Sequence, residues 1–93
     1  MAIYISPKVK KKIEEKHGLT LDEVYEAISG RLAGFLEDTR EEHKSDPPTL
    51  WFIGSTDFGK YLKVAFIFKD GTMIIRTAYE ANQTELAIYK KYA

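Results

Sequence analysis

The chain has 93 residues, of which 44% are hydrophobic and 30% charged, with a formal net charge of zero at pH 7. This length predicts a single domain spanning residues 1–93. We expect a cytoplasmic protein with no membrane contact. The reasons are that no apolar run approaches the roughly 18 residues of a membrane span, that no signal peptide opens the chain, and that cysteine is absent. The balanced charge provides no general attraction for nucleic acid.

Two short helices are predicted near the start of the chain. Ser6-Pro7 places a good N-cap residue before a proline at the first helical position. Gly18, directly after His17, is a typical residue for ending a helix. Residues 20–23 have the spacing of a capping box, which predicts a second helix that ends at Gly30. The two helices are therefore expected to meet at the histidine and glycine.

Residues 31–48 allow two interpretations at their start. Leu32, Phe35 and Leu36 either extend the helical packing or begin a short edge strand. The charged residues 37–46 and the pair Pro47-Pro48 predict an exposed loop, because prolines lack a backbone donor and restrict the residue before them.

The second half of the chain predicts a small sheet followed by a helix. Residues 50–55, 61–68 and 73–79 are apolar runs, and Asp70-Gly71 between the last two is a strong signal for a tight hairpin. The middle run is almost wholly apolar, which predicts a strand covered on both faces. Residues 82–85 form another capping box. The predicted class is α+β, with a small antiparallel sheet of three to four strands, two N-terminal helices and a C-terminal helix.

Common catalytic and metal-binding motifs are absent from the sequence. His17 and His43 are far apart and there is no cysteine, so neither a structural metal site nor a cofactor is predicted. The glycine-rich phosphate loops are also missing. Asp57-Phe58-Gly59 matches the magnesium-binding motif of kinases, but the chain is far too short for a kinase.

Five residues near the predicted ends of elements are candidates for chemistry. His17 either caps a helix or transfers protons, since its ordinary pKa lies near neutrality. Arg76 suits bidentate phosphate binding or an ion pair at a strand edge. Tyr79 is three positions further along the same strand, so the two side chains face opposite sides unless the strand ends between them. Lys60 either binds phosphate or is simply a solvent-exposed lysine at a turn. Phe58, in the same turn, is placed to stack on a base.

Three stretches of the chain share their order and spacing with a known family. They are Lys16-His17-Gly18 followed by Thr20, then Ile53-Gly54 with Leu62-x-Val64, and then Ile74-Ile75-Arg76-Thr77-Ala78 with Ala81, Glu85 and Tyr89. These stretches resemble the Lys-His-Gly opening, the central hairpin and the closing Ile-Ile-Ser-Ala-Arg pattern of the BrnT family of bacterial toxin ribonucleases, which belong with the RelE-like toxins. Tyr79 stands where the family has its arginine.

The resemblance implies a toxin-like component of a type II toxin–antitoxin system, an RNA-cleaving enzyme held inactive by a cognate antitoxin protein. Such enzymes cut RNA without metal, using the RNA 2′-hydroxyl as nucleophile. On this interpretation Arg76 stabilises phosphate charge, Tyr79 or His17 transfers protons, and Lys60 and Phe58 bind substrate. The alternative is a catalytically inactive protein-binding module on the same scaffold, which the neutral net charge favours. The residues alone leave both interpretations open.

Overall fold

The computed structural model describes residues 2–39 and 46–93, which form a mixed five-stranded sheet with helices on both faces. The elements in chain order are β1 (Ala2–Tyr4), α1 (Pro7–Lys11), a π-helical segment (Lys12–Lys16), α2 (Leu21–Ser29), β2 (Leu36–Glu37), β3 (Leu50–Ser55), β4 (Tyr61–Lys69), β5 (Thr72–Glu80) and α3 (Gln83–Tyr92). The predicted α+β class is confirmed, as are two N-terminal helices and one C-terminal helix.

The sheet has one strand more than the upper limit of the prediction. Its strand order is β1-β5-β4-β3-β2, in which β1 runs parallel to β5 and every other pair is antiparallel. The extra strands are the two edges, β1 with three residues and β2 with two. Both are too short to show the alternation by which strands are predicted. Leu36 belongs to the edge strand β2, which decides between the two interpretations of that region.

The exposed loop predicted for residues 37–48 lies partly outside the described residues, because residues 40–45, His43 among them, are not described. Within the described part, the backbone N–H of Asp38 donates to the carbonyl of Thr49, which continues the pairing beyond β2.

Local sequence signals set the turns and helix ends as predicted. Asp70 and Gly71 both have positive φ, at 51° and 77°, as the hairpin between β4 and β5 requires. The Thr20 hydroxyl accepts from the N–H of Glu23, whose carboxylate accepts from the Thr20 N–H in return. Gly18 has φ of 66°, which ends the first helical stretch. That stretch winds more loosely than predicted, since residues 12–16 are π-helical.

Strand pairing assigns side chains to two faces of the sheet. Phe52 pairs with Val64, which pairs with Ala78, so these three share one face. Gly54 lies on the same face, and a Cβ there would sit 1.8 Å from the carbonyl oxygen of Ala27, so α2 covers this face closely. The largest of the described side chains that are less than 2% exposed are Phe52, Phe66, Ile13, Ile53, Leu62, Met73, Ile75, Val24 and Val64.

The opposite face carries Trp51, Lys63 and Tyr79 and is covered by α3. The Tyr89 ring of α3 lies 5.7 Å from the Trp51 ring. Its hydroxyl donates to the carbonyl of Gly34 and accepts from the N–H of Ala33. This tyrosine therefore ties the helix to the segment that precedes β2.

Candidate functional site

The structure brings together two of the predicted site residues, His17 and Tyr79. Their ring centroids are 5.5 Å apart and the ring planes are inclined at 36°. His17 is the residue at which the π-helical segment ends, and that segment packs against β5, which carries Tyr79. Short π-helical stretches occur frequently at functional sites. The half-buried imidazole is thus placed by the unusual local winding of the chain before it.

A buried ion pair holds the hydroxyl of Tyr79. This hydroxyl donates to Oε2 of Glu85 at 2.5 Å, and Nζ of Lys63 lies 3.1 Å from the same carboxylate oxygen. The Lys63 and Glu85 side chains are only 10% and 14% exposed. Nζ of Lys63 also lies 4.5 Å from the centroid of the Trp51 ring, a favourable position for a cation.

Glu85 stays ionised in this network. Burial alone raises the pKa of its carboxyl, but the hydrogen bonds from Tyr79 and from the backbone of Asn82, together with Lys63, outweigh burial and lower the pKa below its ordinary value. The same residue closes the capping box of α3, because its Oε1 accepts from the N–H of Asn82. The start of α3 and the position of Tyr79 therefore depend on one carboxylate.

A cluster of exposed cations lies beside His17. Burial lowers the pKa of the Lys12 ammonium, and the charges of Lys16, Arg76 and Lys8 lower it further. Burial and the charges of Lys16 and Lys12 also lower the pKa of His17, which favours the neutral form of its imidazole. In residues 2–39 and 46–93, no carboxylate forms an ion pair with Lys12, Lys16 or Arg76. The charges of Lys16, Arg76 and Lys8 therefore lie close enough to Lys12 to repel its ammonium.

A β-bulge determines how Arg76 is presented. Ala65 pairs with Thr77 and Phe66 pairs with Ile75, which leaves Arg76 as an extra residue between them. Side chains alternate between the two faces along a regular strand, which predicts opposite faces for Arg76 and Tyr79. The bulge interrupts this alternation, although the strand itself does not end between the two residues. Bulges are common next to active sites, where they redirect a side chain.

Lys60 and Phe58 lie at the tip of the hairpin between β3 and β4. Phe58 is 93% exposed. Nζ of Lys60 is 2.9 Å from Oε2 of Glu23, and this contact raises the pKa of Lys60. The lysine predicted to bind substrate is thus already engaged with a carboxylate of α2.

An open cavity of about 670 Å³ lies between β2 and α3, and we call it the β2–α3 groove. Its aliphatic and aromatic walls are Leu36, Trp51, Ile88 and Tyr92, and its polar lining is Glu37, Asp38, Thr39, Lys63 and Glu85. The carboxylate of Glu85, which accepts from the hydroxyl of Tyr79, therefore also lines the groove.

Lys63, Glu85 and the cations of the first helical stretch are not among the residues predicted for the site. Lys63 does have a signal in the sequence, since a lysine in the middle of a nearly wholly apolar strand is unusual. No helix in the described parts of the chain has the length and apolar character needed to cross a membrane. Among the same residues, no three histidine or acidic side chains gather as a metal site would require.

Comparison of the chain with models of known protein families gives no match, and comparison with curated proteins gives none either.

Proposed function

We propose that this chain is the toxin-like component of a type II toxin–antitoxin pair and that it cleaves RNA at the junction of His17 and the neighbouring cations. The observation that carries the proposal is the cluster of Lys12, Lys16 and Arg76, which has no carboxylate partner in the described residues and adjoins the imidazole of His17, whose pKa is lowered. Repulsion among these cations is relieved when an anion binds, and a phosphodiester is such an anion. Two helices, an antiparallel hairpin and a closing helix are also the order of elements that the BrnT-like resemblance implies.

The arrangement suits strand cleavage by the RNA itself. In the proposed reaction the 2′-oxygen bonds to phosphorus, the bond from phosphorus to the 5′-oxygen breaks, and a 2′,3′-cyclic phosphate forms. His17 accepts the proton of the 2′-hydroxyl. Arg76 and Lys16 stabilise the negative charge that grows on the phosphate. Lys12 has a lowered pKa, so its ammonium donates a proton to the departing 5′-oxygen more readily than an ordinary lysine does.

Tyr79 acts as a positioning residue in this proposal. Its ring lies against His17, and its hydroxyl donates to the carboxylate of Glu85. The orientations open to the imidazole are therefore limited by a side chain that is itself fixed. A Tyr79→Phe variant keeps the ring contact but loses the hydrogen bond to Glu85, so we expect a smaller loss of activity than from Tyr79→Ala.

Purified protein incubated with a labelled single-stranded RNA in the presence of EDTA tests the proposal. We expect cleavage that leaves 2′,3′-cyclic phosphate ends, and no cleavage where the scissile nucleotide is 2′-deoxy. His17→Ala should lower the rate by about 10²–10⁴-fold, the usual contribution of one acid–base group. Arg76→Ala should lower it by about 10²-fold. Lys91→Ala removes an exposed cation from α3 and should leave the rate unchanged.

Equal rates in the His17→Ala variant and the unchanged protein would refute the assignment of the site. Cleavage of the 2′-deoxy substrate would refute the proposed nucleophile. Both results can be interpreted without knowing which RNA is the physiological substrate.

A second candidate function is a catalytically inactive protein-binding module on the same scaffold. Two observations favour it, namely the zero net charge and the engagement of the Tyr79 hydroxyl with Glu85. Under this alternative, folded protein leaves RNA intact in the same assay at every concentration tested.

A further inference from the structure

The side chains of residues 8–16, in the first helical stretch, fall into four rows. Residues four apart are neighbours on a helix, and the 3.9 Å between Nζ of Lys11 and Oε2 of Glu15 shows that this holds across the boundary between α1 and the π-helical segment. Val9 and Ile13 form an apolar row that packs into the core. The charged rows are Lys11 with Glu15, Lys10 with Glu14, and Lys8 with Lys12 and Lys16. The last of these has cations alone, and we call it the lysine row.

The lysine row is unfavourable for the helix that carries it. Like charges four residues apart repel, and after burial the charges of Lys16, Arg76 and Lys8 lower the pKa of Lys12. Lys8 is also the second residue of the helical stretch, where the helix dipole disfavours a cation, and the first turn has no acidic residue. Within residues 2–39 and 46–93, no carboxylate forms an ion pair with a member of the row. Local stability therefore does not account for the row, whereas binding of an anion does.

The ligand that suits the lysine row has repeated negative charges and needs no apolar anchor. The exposed side chains of residues 8–16 are all charged, because Val9 and Ile13 face the core. Protein partners are held mainly by anchors that fill well-packed pockets, and the row has no apolar surface for such an anchor. A nucleic acid backbone binds through its phosphates to lysine and arginine alone. The row therefore favours a nucleic acid backbone over an acidic protein segment.

The position and length of the lysine row favour a single strand. Lys16 directly precedes His17 in the chain, so a strand with its scissile phosphate at His17 brings its neighbouring phosphates to the row. Proteins that recognise double-stranded RNA span about 16 base pairs, far more than a row of about 12 Å covers. Contacts to phosphates carry no information on base sequence. The row thus suits single-stranded RNA of any sequence.

We infer that the lysine row binds the sugar–phosphate backbone of a single-stranded RNA beside the scissile phosphate. Lys8 takes part in binding alone, whereas Lys12 and Lys16 also adjoin the reacting phosphate. The inference rests on the proposed function for the position of that phosphate, and it extends the site from one phosphate to a strand.

Fluorescence anisotropy with a labelled 2′-O-methyl RNA tests the inference, because this RNA keeps its phosphates but lacks the nucleophile for cleavage. Titrations at several salt concentrations give the slope of the logarithm of the association constant against the logarithm of the salt concentration. The three lysines and Arg76 predict a slope of about −3, from about −0.7 for each phosphate neutralised on a single strand. Lys8→Ala should change the slope to about −2 and weaken binding by about fivefold to tenfold at low salt.

Lys11→Ala is the matched control, since it removes the same charge from the same helix. Lys11 pairs with Glu15 and lies outside the lysine row, so the slope should stay at about −3. The urea midpoint of Lys8→Ala should equal or exceed that of the unchanged protein, because the helix loses an unfavourable charge. In the cleavage assay Lys8→Ala should raise KM and leave kcat the same, as expected for a group that binds substrate without touching the reacting atoms.

Equal slopes for Lys8→Ala and Lys11→Ala would overturn the inference, as would a lower urea midpoint for Lys8→Ala. Polyglutamate of the same charge that binds as tightly as the RNA would overturn it too, by assigning the row to an acidic protein segment. RNA cleavage combined with equal slopes refutes the lysine row alone. A reduced slope for Lys8→Ala, combined with no cleavage of ordinary RNA by the unchanged protein, refutes the ribonuclease alone.

Discussion

The buried pair of Lys63 and Glu85 allows a prediction of direction and size. Glu85→Gln removes the negative charge while keeping the shape of the side chain, so the Lys63 ammonium, 10% exposed, loses its counter-charge. Removing one partner of a buried ion pair costs about 3–5 kcal/mol, because the other charge is left uncompensated. The glutamine oxygen can still accept from the Asn82 N–H, so the capping box is largely kept and adds little to the loss in unfolding free energy. We therefore expect a loss of about 3 kcal/mol in the free energy of unfolding.

Lys63→Met should cost less than Glu85→Gln. Glu85 keeps its hydrogen bonds from Tyr79 and Asn82 when the lysine is absent, and methionine fills much of the volume beside Trp51. We expect the free energy of unfolding to fall by about 1–2 kcal/mol, mainly because the Glu85 carboxylate keeps its hydrogen bonds but loses the opposite charge beside it. In the Lys63→Met, Glu85→Gln double variant no charge is left unpaired. Its total loss should be about 2 kcal/mol, well below the sum of the single losses, as contacting residues commonly show.

Urea unfolding monitored by tryptophan fluorescence measures these differences, since Trp51 lies beside the pair. The four proteins of the cycle should give a coupling energy of about 2–3 kcal/mol. Losses that add within about 0.5 kcal/mol would refute the account, because they would mean that the two charges do not stabilise each other. A Lys11→Met, Glu15→Gln cycle is the matched control. That pair is exposed, with its charged atoms 3.9 Å apart, so its coupling should stay below about 0.5 kcal/mol.

Packing, capping and titration each provide one further test. Gly54→Ala should lower the free energy of unfolding by about 3 kcal/mol, because the new Cβ meets the carbonyl oxygen of Ala27 at 1.8 Å. Gly34→Ala is the control: a Cβ there meets nothing within 4 Å, so the free energy of unfolding should change by less than about 0.5 kcal/mol. Asn82→Ala removes the N-cap of α3 and should lower the free energy of unfolding by about 1 kcal/mol, which is measured as a lower urea midpoint. An unchanged midpoint would contradict a stabilising role for this cap. The pKa of Glu85 is lower in the folded protein than its ordinary value of 4.5. The contribution of its ionised carboxylate to stability is therefore complete above pH 4.5 and is lost as the pH falls through the folded pKa. The urea midpoint should therefore fall more steeply below pH 4.5 in the unchanged protein than in Glu85→Gln, and parallel curves would contradict this.

Elements that depend on local chemistry could be predicted from the sequence. The N-caps at Ser6, Thr20 and Asn82 accept the expected backbone hydrogen bonds. The hairpin at Asp70-Gly71 has the positive φ values that its residues suit. In each case a side chain or a glycine acts on backbone atoms within three or four residues, so no knowledge of the tertiary fold is needed.

The arrangement of the candidate site could be predicted only in part. His17 and Tyr79 were identified one by one, but their contact depends on how the π-helical segment packs on β5. The pairing of Lys63 with Glu85 depends on the register of β4 and the placement of α3, which are tertiary features. The bulge at Arg76 interrupts the alternation from which side-chain direction is read. Such features are set by packing between distant segments, and no short pattern specifies them.

Controlled expression of the chain in a bacterium that lacks the proposed antitoxin, following growth and transcript integrity together, tests the central proposal most directly. The account predicts growth arrest with cleaved transcripts for the unchanged chain and for Lys91→Ala, and continued growth with intact transcripts for His17→Ala and Arg76→Ala. Normal growth with intact transcripts in cells that accumulate the folded, unchanged chain would contradict the ribonuclease proposal and favour the protein-binding module.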